Sequence, residues 1–210
     1  MRRTYALPLF LLTLCVQSTA HDRIGIREVD FRTLSFPFTG RTFTDLPHRI
    51  RVHNGLYHSP HQEPSLTYIY FKVAEVVFGD LTGDGRDEAA VVTIYGAASS
   101  DYYETCVYLY TIKGNGPRLI AILNHAPMAD EYARFSHDDR SYLFEAVAGG
   151  TKISHEQLTV RHFASGAHCC PPNVFTLLYR LRHGRLMLVG RSLRRRSETE
   201  ERIPHSAEDR

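Results

Sequence analysis

Tryptophan is absent from this chain, and so is every compact catalytic signature that a sequence can carry openly: there is no G-x-S-x-G, no H-E-x-x-H and no P-loop. A serine-hydrolase elbow, a zinc-protease helix and a nucleotide cradle are therefore excluded as readings. An excess of one charge is also missing. Lys and Arg total 25 against 23 Asp and Glu, and without the two arginines of the leader described below the signs balance at 23 each. Such a balance argues against general electrostatic attraction to nucleic acid or to anionic lipid. Beyond residue 20 no apolar run approaches transmembrane length. No repeat with a period of about 40 to 50 residues is visible, so the chain does not read as a set of propeller blades.

What is present begins with an address. Arg2 and Arg3 precede the apolar run from Tyr5 to Val16, and Ser18-Thr19-Ala20 offers small residues where a signal peptidase cuts. Residues 1–20 are expected to be a signal peptide, the mature chain to start at His21, and the protein to be exported to the periplasm or the extracellular space. Cys15 follows Leu14, where a lipid-anchoring signal wants a small residue. Residues 21–191 are then expected to form one β-rich domain, and residues 192–210, charged and almost without apolar side chains, a disordered tail. The plentiful Tyr (12) and Phe (11) suit strands. Of the four cysteines, Cys106, Cys169 and Cys170 lie beyond the leader, and an oxidising compartment favours a disulfide among them. A bridge from Cys106 to either of the vicinal pair would close a loop of about sixty residues; a Cys169–Cys170 bond or metal ligation with His168 are the alternatives.

One stretch carries a chemical instruction. From Asp80 the chain reads D-x-T-x-D-G-x-x-E, with Asp80, Thr82 and Asp84 on alternate positions, Gly85 at the sharp turn, the Arg86 carbonyl available and Glu88 closing the set. A short loop curls oxygen ligands around a hard cation such as Ca²⁺ in this way, and the sixth position resists a Cβ. The twelfth position of an EF-hand requires a bidentate carboxylate; here it is Val91, so this is no EF-hand. The following AAVVTIY reads as a strand, which makes the loop a strand-to-strand connection. The competing reading is a metal-free Asp-Gly turn in which the carboxylates accept backbone N–H bonds. Asp87 is out of ligand phase and reads as a solvated charge.

The segment FGDLTGDGRDEAAVV resembles the calcium loops of FG-GAP and integrin-type propeller repeats. It is also similar to the single D-x-T-G-D-G-x-x-E-A segments of small secreted bacterial proteins of unassigned activity. The latter likeness extends to the hairpin with a Gly-Asn turn and the late Cys-Cys-Pro before aromatic strands. It implies a small exported β protein with a calcium loop and brings no catalytic residues with it.

Along the rest of the chain, Arg23 to Phe38 reads as two strands or one bent strand, and Thr39 to Pro64, with three prolines and four histidines, as a long surface connection. His58, His61 and Glu63 within it form H-x-x-H-x-E, but Pro60 and Pro64 disfavour a helical metal face there. Strands are expected over Leu66–Phe78 and Ala89–Tyr95. Hairpins are expected over Cys106–Ile112 with Arg118–Leu123, Tyr142–Val147 with Gln157–Phe163, and Val174–Leu181 with Leu186–Val189. A short helix between Asn124 and Arg140 is expected to start near Asp130, Glu131 and Tyr132. The fold expectation is mainly β: a single antiparallel meander or sandwich-like domain with one or two short helices, not a propeller.

Two function classes remain. The first is a non-enzymatic exported β domain with one Ca²⁺-stabilised loop, acting in envelope support or in binding an unknown macromolecule or glycan, with Tyr102, Tyr103 and Tyr132 as spare contact area. No nucleic-acid partner is expected. The second is a secreted enzyme, either a copper oxidase using a mature N-terminal His21 or a hydrolase using the loop carboxylates.

Overall fold

The computed structural model describes residues 25–38, 47–59, 69–97, 103–136, 143–164 and 171–203. Strand β1 (Ser35–Pro37) pairs with β2 (Arg49–Arg51) in a small ribbon. Strands β3 (Leu56–His58), β4 (Ile69–Gly79), β5 (Glu88–Ala97), β6 (Tyr103–Lys113) and β7 (Gly116–Leu123) form a five-stranded antiparallel meander in chain order. Helix α1 (His125–Ser136) follows. A second antiparallel sheet has the order β12-β11-β10-β8, built from β8 (Leu143–Ala146), β10 (Gln157–Ala164), β11 (Asn173–Arg182) and β12 (Arg185–Arg195), with β9 (Lys152–Ser154) also on β10. The molecule is mainly β, as expected. No helix among the described residues is long and apolar enough to cross a membrane.

The period-two pattern explains the layering. On β5, Ala90, Val92 and Ile94 face one way and join Val107 and Leu109 of β6 against Val160, Phe175 and Leu177 of the second sheet. The intervening Ala89, Val91 and Tyr95 face the other way, with Cys106, Tyr108 and Tyr110, onto Ile26, Phe31, Phe36, Ile50 and Val52 of the N-terminal segment. The first sheet is thus covered on both faces, which is why β5 reads as a nearly unbroken apolar run. Phe36 is the plug of the outer layer, its ring 5.2 Å from Tyr108 and 5.5 Å from Phe71. Met128 and Tyr132, four apart on α1, turn into the core, where Tyr132 meets Phe175 at 5.0 Å.

The expected hairpins β6–β7 and β11–β12 form. The third is corrected: β8 pairs only with the far end of β10, at His162 and Ala164, while β9 makes the tight hairpin with residues 157–159, and Tyr142 lies outside the described residues. Several other expectations are corrected. Residues 26–33 make two 3₁₀ turns, Ile26–Glu28 and Phe31–Thr33, before the short β1. Asp30 accepts from Arg32 N at 3.0 Å, so a local side-chain bond wins over a strand. The presumed surface connection contains β2 and β3, joined by Asn54-Gly55 with both φ values positive, the conformation a tight hairpin needs. Helix α1 begins at His125, with Pro127 tolerated in its first turn. The expected tail is ordered through Ile203. β12 continues through Ser192 to Arg195, and residues 196–203 lie back on the second sheet through a Val147–Arg202 bridge, the buried Ile203 and Arg196 stacked 4.7 Å from the Phe163 ring. Residues 204–210 lie outside the described residues.

Glu200 holds that return. Its carboxylate accepts from Arg194 (2.9 Å), Arg161 (3.2 Å) and the Ser197 N–H (3.0 Å). The Arg194 bond, ahead of the others, holds its pKa down to about 2. A depressed carboxylate contributes stability above its ordinary pKa near 4.5 and loses it as pH falls toward 2. Glu200→Gln is expected to cost about 2 kcal/mol at pH 7 and to raise amide exchange in residues 196–203, with the difference in melting temperature closing below pH 4. Hydrogen exchange and thermal melts across pH check this.

Candidate functional site

The Asp80–Asp87 loop closes the β4–β5 hairpin, whose last pair is Gly79 and Glu88. Leu81 sits fully in the core between the sheets and anchors the loop from below. The exposed residues Thr82 to Arg86 arch over it. Asp80 is the hub: Oδ1 accepts from Gly83 N at 2.6 Å and Oδ2 from Gly85 N at 2.8 Å. These N–H groups, Gly85 first, hold its pKa below the usual carboxylate range. Both glycines have positive φ, +79° and +78°, which turns their N–H groups inward. Asp84 Oδ1 accepts from Arg86 N at 2.9 Å, a local turn bond.

Glu88 has the opposite character. Its side chain is buried beneath the loop, where Oε2 accepts from Leu81 N (2.9 Å) and Thr82 N (3.2 Å) and Oε1 from Thr111 Oγ1 (3.2 Å). Burial pushes its pKa up, and the three donors only partly offset that. Thr82, Asp84 and the Arg86 backbone therefore lie on the outer side of the loop, the Asp80 carboxylate inside its arch and Glu88 beneath it. The outer oxygens suit a hard cation, since each Asp carboxylate keeps lone pairs beyond those given to the backbone. Glu88 faces Thr111 instead. Among the described residues no group of three or more His, Cys, Asp or Glu stands close enough to hold a metal ion. Asp87, read as a solvated charge, pairs with Arg27 Nε at 2.5 Å.

That pair forms one wall of a cleft of about 470 Å³ lined by Ile26, Arg27, Arg86, Asp87, Thr111 and Ile112. Arg27 also lies over the Phe78 ring, 5.1 Å from its centroid. On its other flank the loop meets the β9–β10 turn. A Cβ on Gly83 would stand 2.8 Å from Glu156 Oε1, and one on Gly79 would stand 2.8 Å from the Ile153 carbonyl. The loop is thus wedged between the N-terminal layer and the second sheet.

A second constellation was not foreseen. His125, Glu145 and His162 are all buried, the two imidazoles 6.2 Å apart, with Arg202 reaching Glu145 at 3.7 Å. His125 Nδ1 has no hydrogen-bond partner among the described residues. Burial lowers its pKa to about 4 against an opposing pull from Glu145. Cys106, expected in a disulfide, is a free buried thiol 3.6 Å from Asn124 Oδ1, and burial pushes its pKa up to about 12. Its side chain is on the face of the first sheet that packs against the N-terminal segment. His21, His61, Glu63, Tyr102, His168, Cys169 and Cys170 lie outside the described residues. His58 is exposed on β3, Tyr103 packs at 6.1 Å from Tyr70, and Tyr132 is buried in the core, so neither tyrosine is a free contact surface. No protein-family model matches the chain, and no curated protein and no solved structure shows significant similarity to it.

Two outcomes follow from the buried titratable groups. The unfolded chain protonates His125 near pH 6.5 and the fold resists it until about pH 4, so stability falls as pH drops through that window, by about 3 kcal/mol from this group. His125→Gln is expected to flatten the melting-temperature profile between pH 6.5 and 4 relative to the parent chain. Glu88, with its pKa raised, favours the fold most below its ordinary pKa near 4.5 and loses that contribution as pH rises. Glu88→Gln, which can still accept from Leu81 and Thr82 and can donate to Thr111, is expected to melt no lower than the parent at pH 7 without added cation. A loss of several degrees in a thermal melt would contradict this.

Proposed function

We propose that this chain is an exported, non-enzymatic β-sandwich that acts in binding or envelope support, with Ca²⁺ stiffening the Asp80–Glu88 loop beside its recognition cleft. One observation supports the reading above others. The loop is pinned beneath by Leu81 and Glu88 while Thr82, Asp84 and Arg86 are exposed, so the exposed arch stands on a fixed base. The Arg86 and Asp87 side chains continue into the cleft, so ordering the loop also orders that wall.

The ion would contribute charge neutralisation and rigidity. Asp80 would serve from the position it already holds by accepting the Gly83 and Gly85 N–H groups, and Asp84 from the exposed apex. The cleft joins an apolar floor at Ile26 and Ile112 to hydrogen-bonding groups at Arg86, Asp87 and Thr111, a mixture suited to a glycan or an extended polypeptide. No observation favours the oxidase or hydrolase alternatives: His21 is outside the described residues, and Glu88 faces inward with both oxygens already accepting.

Calorimetry of the exported chain in EGTA and in Ca²⁺ tests the reading. At a Ca²⁺ concentration of about 100 times Kd the gain is about 2.7 kcal/mol, a rise of a few degrees in melting temperature. Asp84→Asn keeps an acceptor for Arg86 N and drops the charge, so its melt in EGTA should match the parent while its affinity for Ca²⁺ falls at least about tenfold. No binding heat and an unchanged melt in the parent would remove the ion. A glycan and protein array without hits would remove the recognition role.

A further inference from the structure

The even balance of charge in the whole chain conceals a segregated distribution. From Gln157 to Ser197 there is no Asp, Glu or Lys, and every strong charge is an arginine. The segment includes β10, β11 and β12, one outer half of the sandwich. β12 is the terminal strand of its sheet, and among the described residues no strand pairs with its far edge. The large apolar side chains that are exposed among the described residues are Met187 (52%), Val189 (51%) and Leu193 (37%), all of them on this strand.

Register places charge and apolar surface together. Arg180 lies opposite Met187 and Arg182 opposite Arg185, on the face turned away from the core, because the neighbouring pairs Tyr179–Leu188 and Leu181–Leu186 face inward. The shift of register between Leu178 and Tyr179 leaves Val189 as the extra residue on β12. The turn His183-Gly184, both with positive φ, makes a narrow tip. Arg191 and Arg194 are engaged by Glu131 and Glu200, whereas Arg182 and Arg185 have no ion pair among the described residues. The hairpin tip therefore carries uncompensated arginines next to protruding aliphatic side chains.

We infer that the β11–β12 hairpin tip is a docking surface for an anionic, phosphate-bearing lipid bilayer. A bilayer interface is the partner that takes both components: phosphates meet the planar guanidinium groups, and Met187 and Val189 enter the acyl boundary. A second copy added along β12 would bring like charges face to face. Single-stranded nucleic acid would want aromatic platforms, and the outward residues Leu178, Arg180, Arg182, Arg185 and Met187 include none. An acidic extended peptide would answer the arginines and the free edge but leave the aliphatic tips uncovered. The surface is on the second sheet and does not rest on cation binding by the Asp80–Glu88 loop.

Sedimentation of the mature chain with vesicles in EGTA tests the inference, using phosphatidylcholine alone and phosphatidylcholine with about 30% phosphatidylglycerol. Binding is expected only to the anionic vesicles and should weaken with salt. The double variant Arg182→Gln/Arg185→Gln should lower partition about 30-fold, and Met187→Ser/Val189→Ser should also lower it, with melting temperatures unchanged because all four side chains are exposed. No binding to either vesicle, equal binding to both, or parental binding by the arginine variant would overturn it. Capture of poly-glutamate or of single-stranded DNA without vesicle binding would overturn it in favour of those partners.

Discussion

Burial of β5 on both faces is the constraint from which the rest of the molecule follows. A strand that exposes neither Val92 nor Val91 needs one layer above and another below. The second sheet supplies one, and the 3₁₀ turns with β1 and β2 supply the other. The N-terminal segment is therefore a structural layer; removing it would expose Tyr95, Tyr108 and Tyr110 together. Its loose secondary structure is consistent with that role, since a cover needs apolar side chains at the right places and not a ladder of its own. Phe31 and Phe36 supply those contacts, at 5.3 Å from Tyr110 and 5.2 Å from Tyr108.

The same strand begins with the one residue that is both loop and core. Glu88 is the first residue of β5 and the acceptor that ties Leu81 and Thr82 down, so the buried run and the exposed arch share a carboxylate. Burying an ionisable group there costs free energy that an amide in its place would not. Asp80 does the reverse, remaining ionised because backbone N–H groups surround it. Two acids eight positions apart thus meet opposite surroundings, one solvated by peptide dipoles and one drawn beneath a lid.

Much of this was legible in the sequence where local chemistry decides. The Asp-Gly spacing located the turn between β4 and β5, and alternation with short turn dipeptides located the hairpins at Gly114-Asn115 and His183-Gly184. Asn54-Gly55 was an equally strong turn signal, masked by the prolines and histidines around it. Between Ile26 and Phe36 apolar residues spaced by two or three fit a strand as well as the 3₁₀ turns that form there, so the pattern does not separate the two. Order past Ser192 could not be read from composition, since it depends on Glu200 meeting arginines from β10 and β12. The buried histidines were invisible for a related reason. His125 and His162 are far apart in sequence, and the pairing of β8 with β10 sets His162 opposite Ala146, the neighbour of Glu145 in the chain.

Gly79 has a mechanical meaning. Its missing side chain lets the Ile153 carbonyl of the second sheet rest against the root of the loop, where even a methyl group would collide. The two sheets touch there, the Gly79 backbone against both the carbonyl and the side chain of Ile153. A shift of the loop's root is therefore passed directly to β9 and the turn that follows it, so the arch and the second sheet move as one piece at this point.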